Sequence, residues 1–136
     1  MTVESRQQEL LRRFQILPSP QERLNALVDR SAKVPPLPDS DKTDENRVYG
    51  CQSKVFVIGR IEDGVCRFRA DADSVLVRAL VILLCELYEG GLPSEVIETE
   101  PELLRQLGIW QILSPTRQNG LGQVRRVIRA WAEKLA

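Results

Sequence analysis

The stretch from Ser74 to Gly91, SVLVRALVILLCELYEGG, is apolar nearly all the way round a helix, with charges only at Arg78, Glu86 and Glu89. A helix with no wide polar face is stable in water only when other elements cover it, so this segment predicts a mostly buried central helix. Asp73 or Ser74 can cap its start, and Gly90-Gly91 is a stop signal. The rest of the chain must supply its coat. With 136 residues, one domain burying roughly two-thirds of its unfolded surface is expected over 1–136, without disulfides or metal as staples.

The coat is legible as patterned segments. ESRQQELLRRFQIL places Leu10, Leu11 and Phe14 at helical spacing. SPQERLNALVDRSAKV opens with a helix-start signature, in which Ser19 can cap, Pro20 suits the first turn and Glu22 completes a capping box. Leu24, Leu27 and Val28 give that second helix its apolar face. The proline-rich, then charged, VPPLPDSDKTDEN follows as a long connection. From Ser53 to Ile61 the residues are β-formers, EDG at 62–64 is a turn signal, and VCRFRA alternates strictly, which together predict a β-hairpin. Alternation puts Cys66 with Phe68 and Ala70 on the core face and Val65, Arg67 and Arg69 on the other.

Beyond the central helix, six glutamates and no basic residue fall between Glu86 and Glu102, which predicts a solvated acidic surface with short helices starting near Pro93 and Pro101. A last helix is expected after GIWQILSPTRQNGLG, with Leu121, Val124, Ile128, Trp131 and Leu135 as its apolar stripe and Arg125, Arg126 and Arg129 solvated. N-terminal helices, a small antiparallel sheet and C-terminal helices make the fold class α+β.

Composition excludes several function classes. Lysine plus arginine total 19 and aspartate plus glutamate total 19, so no net field draws the chain to nucleic acid or an anionic membrane. MTVESRQQELLRRF carries no apolar core of a secretory signal, and no apolar run reaches the roughly 18 residues of a membrane span; the expectation is a cytoplasmic protein. There is no histidine, which rules out a cysteine–histidine nucleophile pair within the chain. The three cysteines form no CxxC pair, so no metal site is expected, and neither GxxxxGK[ST] nor GxGxxG is present to cradle a nucleotide.

Cys66 and Cys85 lie inside apolar patterns and read as packed hydrophobes. Cys51 does not. It sits in RVYGCQSKVFVIGRI, preceded by Tyr49-Gly50 and followed by Gln52-Ser53, just before the strand. A loop thiol next to glycine can approach a partner closely and exchange sulfur without a base or an oxyanion hole. On these residues alone, a reactive thiol and an ordinary loop cysteine both stay open.

GCQSKVF, Gly50 to Phe56, resembles the GCQSxVW motif of the SufE family around its sulfur-accepting cysteine, with Phe56 where tryptophan is common. The likeness continues in LPDSDKTDENRVYGCQS, in DAD at 71–73 and in LSPTRQNGL at 113–121. The resemblance implies an α+β fold related to iron–sulfur scaffold proteins and a sulfur carrier in which Cys51 is the sulfur-accepting residue. It implies as partners a cysteine desulfurase, SufS-like or a sister enzyme, and a SufBCD-like iron–sulfur scaffold complex. Pyridoxal phosphate would belong to the desulfurase, and the carrier would need no cofactor of its own.

Asp73 and Arg117 fall on charged positions resembling those the family uses near its cysteine and partner interface. Asp73 as a helix cap and Arg117 as a loop brace are the competing readings. Gly50 would serve as a hinge, with Gln52 and Ser53 supporting the loop. A non-covalent desulfurase activator and a thiol redox protein are the alternatives from other classes; the second needs a resolving thiol that Cys66 and Cys85 are too enclosed to provide.

Overall fold

The computed structural model describes residues 1–135. Two helices, α1 (Val3–Gln15) and α2 (Pro20–Ser31), precede a connection containing two short 3-10 turns. Strands β1 (Arg47–Val48), β2 (Val55–Glu62) and β3 (Val65–Ala72) follow, then the central helix α3 (Val75–Tyr88). Short helices α4 (Pro93–Glu98), α5 (Leu103–Gln106) and α6 (Ile109–Ile112) lead to the long α7 (Pro115–Leu135). The fold is α+β, with terminal helices flanking a three-stranded antiparallel sheet in the order β1-β2-β3.

The hairpin forms where expected. Asp63 and Gly64 both take positive φ, the geometry of a two-residue turn whose twist matches the strands, and they bring Glu62 opposite Val65. Cys66, Phe68 and Ala70 face inward together with Val55 and Val57. Against them packs α3, whose Leu80, Val81, Leu83, Leu84, Leu87 and Tyr88 are essentially inaccessible. Among the described residues, no helix is long and apolar enough to cross a membrane.

Several expectations change in detail. The strand begins at Val55 rather than Ser53, because Gln52 and Ser53 bend away from it. β1, only two residues long, was not legible as a strand; it pairs Arg47 with Phe56 and Val48 with Val55. The capping box at Ser19 is half formed: Ser19 Oγ accepts from the Glu22 N–H at 3.1 Å, with no return bond from the Glu22 carboxylate among the described residues. Helix α7 starts at Pro115, upstream of Gly120 and Gly122, which lie inside it. Ser114 Oγ accepts from the Arg117 N–H at 3.3 Å, so Ser114-Pro115 was the start signal that the glycines obscured.

Charged groups do more than solvate the surface. Arg125 is buried, and Trp131 is only half-buried while Ala132 takes the core position beside it. Of the six glutamates, Glu86 pairs with Arg30, Glu100 meets Arg125, and Glu89 accepts from the Phe68 N–H at 3.2 Å, closing part of the β3 edge.

The connection from α2 is fixed by a buried ion pair. Arg78, the one basic residue of α3, donates to Asp71 Oδ1 at 2.7 Å, to the Ser31 carbonyl at 2.7 Å and to the Val34 carbonyl at 2.9 Å. Asp71, 5 % exposed, also accepts from the Leu37 N–H at 3.0 Å and the Ala72 N–H at 2.9 Å. Helix, strand and proline-rich loop are thereby tied at one point.

Candidate functional site

The site is a loop bent back onto a helix. β1 ends at Val48, the exposed Tyr49 follows, and Gly50 turns the chain at φ 89°. A side chain at Gly50 would be strained by that φ, and its Cβ would lie 3.0 Å from Gln123 Cγ on α7, so the glutamine side chain would also have to shift. The base of the loop is clamped by Asp73. Its carboxylate accepts from the Lys54 N–H at 3.0 Å, and its own N–H donates to the Lys54 carbonyl at 3.1 Å.

Between these fixed ends, Cys51 points toward α7. Its Sγ lies 3.5 Å from the Gly120 carbonyl oxygen, within reach of a thiol donor. A Cβ built on Gly120 would sit 3.3 Å from that sulfur. An interior helical glycine costs about 1 kcal/mol relative to alanine, and here it lets the thiol settle against the helix. Val77 and Leu80 of α3 and Leu121 of α7 line a small cavity around the sulfur, about 100 Å³, with Gln52, Ser53, Thr116 and Arg117 also on its walls.

Cys51 is half-buried, and burial pushes its thiol above the ordinary range. The resting sulfur is therefore a protonated thiol, shielded but not sealed. Cys66 and Cys85 differ from it: both are buried in the core, and burial pushes Cys85 up to about 12. Gly120→Val is expected to eject the Cys51 side chain and speed its labelling by a small thiol reagent several-fold, with Cys66 and Cys85 labelling slowly in both proteins. Mass mapping of the modified peptides checks this. Unchanged Cys51 labelling would contradict the contact with Gly120, and fast labelling of either core cysteine would contradict its burial.

Cys51, Gln52, Ser53 and Arg117 thus come together at one cavity, while Gly50 and Asp73 shape the loop from outside it. Asp73 does not cap α3; Ser74 does, accepting from the Val77 N–H at 3.4 Å. The Arg117 guanidinium has no hydrogen-bond or ion-pair partner among the described residues, and only its backbone N–H is engaged, by Ser114. It braces no loop in this state. Gly120, Thr116, Leu121, Val77 and Gln123 are site residues the sequence reading missed; only the glycine at 120, an unfavourable choice inside a helix, carried a visible signal.

The family profile "SufE: Fe-S metabolism associated domain" matches residues 8–132. The chain belongs to the SufE family. It is 31 % identical over 124 residues to an uncharacterized SufE-like protein of Synechocystis, covering 91 % of this chain and 78 % of that protein. Its fold is similar to the solution structure of a hypothetical protein from Thermus thermophilus, with a TM-score of 0.78 and 30 % identity over 96 % of this chain and 95 % of the other. Membership in the SufE family links the chain to iron–sulfur metabolism and is consistent with a sulfur-carrier role.

Proposed function

We propose that this SufE-family chain accepts sulfur on Cys51 from the persulfide of a pyridoxal-phosphate-dependent cysteine desulfurase, stimulates that enzyme by unloading it, and delivers the sulfur to an iron–sulfur scaffold complex. The observation that carries the reading is the placement of Cys51. It is the one half-buried thiol of the three, at the tip of a loop with a left-handed glycine before it and a clamped base after it.

The reaction needs no acid–base machinery on this chain. The Cys51 thiolate attacks the outer sulfur of the desulfurase persulfide, a new S–S bond forms on Cys51, and the donor's S–S bond breaks with its cysteine leaving as a thiolate. One persulfide is exchanged for another, so no external oxidant or reductant enters. The proton on the resting thiol must first be lost, and the burial that raises the Cys51 pKa opposes this. Movement of Cys51–Ser53 out of the cavity, hinged at Gly50, removes that penalty, which couples ionisation to docking. Returned to the cavity, the persulfide is shielded from stray reductants by Leu80, Leu121 and Val77.

Arg117, on the cavity wall with its guanidinium unpaired, is the cation placed to receive the sulfur's negative charge or a partner carboxylate once the loop moves. Asp73 acts as a positioning residue through Lys54.

The assay is release of product by the cognate desulfurase with free cysteine, with and without this protein. Addition of the chain should raise turnover. Arg117→Ala and Asp73→Ala should each reduce that stimulation several-fold, while Arg117→Ala leaves the reactivity of Cys51 toward a small thiol reagent unchanged. No stimulation by the native chain would contradict the function; undiminished stimulation by both variants would leave it standing and remove both residues from it.

A further inference from the structure

Strand β3 forms an outer edge of the sheet, with only β2 beside it. Its ladder fixes which main-chain groups face away from β2. The Asp73 N–H donates to the Lys54 carbonyl in continuation of the register that sets Ala72 opposite Val55, so odd-numbered positions of β3 bond to β2 and even-numbered ones face outward. Most of that outer edge is closed by the chain itself. Cys66 donates to the Gly91 carbonyl and accepts from the Gly90 N–H, both at 2.8 Å, Glu89 accepts from the Phe68 N–H, and Asp71 Oδ1 accepts from the Ala72 N–H. One gap is left: the Phe68 carbonyl and the N–H and carbonyl of Ala70 have no hydrogen-bond partner among the described residues. Ala70 is 7 % exposed, and main-chain groups that enclosed are seldom left unpaired.

The gap opens onto a groove of about 550 Å³, several times the cavity at Cys51 and within the roughly 300–1,000 Å³ of ligand sites in general. Phe68 and Ala70 lie on its wall, and Val34, Pro35, Pro36 and, from α3, Ile82 and Cys85 supply further apolar surface. Its charges are unevenly used. Glu86 is paired with Arg30, and Glu89 is engaged by the Phe68 N–H. The Lys33 ammonium, on the same wall, has no partner among the described residues, and the exposed Arg69 reaches only the Asp41 carboxylate, at 3.3 Å. Two cations therefore border the open edge and are available to an acidic group.

We propose that this groove takes an extended, acidic peptide segment of a partner protein, which adds to β3 as an antiparallel fourth strand. A residue set opposite Ala70 exchanges both main-chain hydrogen bonds with it, and the residue two further along donates to the Phe68 carbonyl. Alternation then assigns the side chains. The residue opposite Ala70 falls on the inward face, toward α3, and is apolar; the next one, opposite Arg69, falls on the outer face and is acidic. The main-chain bonds supply affinity and the alternate side chains specificity. The groove shares no lining residue with the cavity at Cys51, so a segment bound there leaves the thiol free to exchange.

The probe is the peptide acetyl-Thr-Val-Glu-Val-amide, titrated into the full chain and read by its amide resonances and by hydrogen exchange. The Ala70 N–H should shift saturably at millimolar peptide and exchange at least tenfold more slowly at saturation. Methylating the nitrogen of the first valine, the donor to the Ala70 carbonyl, should weaken binding roughly tenfold, whereas methylating the glutamate nitrogen, which faces away from β3, should leave it unchanged. These comparisons leave the protein unaltered. Arg69→Glu, at an exposed position, should weaken the same peptide several-fold and favour acetyl-Thr-Val-Lys-Val-amide instead. If the native chain shows no saturable response, or if the two methylated peptides bind alike, the edge holds water only and the proposal is overturned. Indifference to the charge swap would contradict the acidic assignment. An Ala70 shift that follows protein concentration without peptide would give the groove to a second copy of this chain and overturn the proposal likewise.

Discussion

Cys51→Ser is expected to abolish stimulation of the cognate desulfurase and sulfur loading together, while the protein stays folded. Serine is close in size to cysteine and can still donate to the Gly120 carbonyl, so the loop keeps its contact with α7. Its hydroxyl does not ionise near neutral pH and cannot form a persulfide. Stability should change by less than about 1 kcal/mol, since Cys51 is only half-buried. The comparison that matters is desulfurase turnover with native and variant protein at equal concentration. Full stimulation by the serine variant would mean that docking alone activates the enzyme, and the chain would be a non-covalent activator. The redox-sensor reading has less support in this geometry, because Cys66 and Cys85 are buried and neither can resolve a sulfenic acid on Cys51 without local unfolding.

The second large effect lies away from the thiol. Arg78→Ala should destabilise the protein by about 3–5 kcal/mol, the range for stripping the partner from a buried charge. Asp71 would remain 5 % exposed with only Lys42 Nζ, 3.8 Å from Oδ2, to offset its charge, and the Ser31 and Val34 carbonyls would lose their donor. Burial alone would raise the Asp71 carboxyl. The hydrogen bond from Arg78, those from the Leu37 and Ala72 N–H groups, and the Arg78 charge outweigh it and hold the carboxyl below its ordinary value.

A depressed carboxyl contributes stability that is complete above its unfolded pKa, about 3.9, and is lost as pH falls through the folded value. Native protein should therefore lose stability below about pH 4, and Asp71→Asn should flatten that dependence while being less stable at neutral pH. Urea unfolding at neutral and acid pH measures both. An Arg78→Ala variant within about 1 kcal/mol of native would show that the pair contributes specificity rather than stability.

The difference between what could and could not be read in the sequence has physical causes. Periodic apolar burial was legible: α3, the inward face of β3 and Leu121, Val124 and Ile128 of α7 follow from spacing, whereas Trp131 and Leu135 at the end of that stripe are only half-buried. So was the hairpin turn, because Asp63-Gly64 is a local conformational demand. Long-range polar contacts were not. Arg125 and Asp71 are buried because partners distant in sequence receive them, and nothing adjacent announces Ile97, Tyr88 or Leu37. β1 is too short to carry a pattern.

In the site, GCQS drew attention to Cys51, Gln52 and Ser53, but the surface on which the thiol rests belongs to α7. The start of that helix was misplaced because Gly120 and Gly122 look like helix breakers. Their use is visible only in three dimensions: one contacts the sulfur and the other borders a cavity. Asp73, legible as a cap, turned out to clamp Lys54 because Ser74, one residue later, already fills the capping role.

The central claim is that Cys51 carries sulfur. The most direct measurement is intact mass and peptide mapping of the chain after incubation with its cognate desulfurase, pyridoxal phosphate and free cysteine without reductant. The account predicts the added mass of one sulfur atom, located on the Cys51 peptide, absent when the desulfurase is omitted and removed by dithiothreitol. Stimulated desulfurase turnover with no sulfur on Cys51, or sulfur located on Cys66 or Cys85 instead, would contradict it.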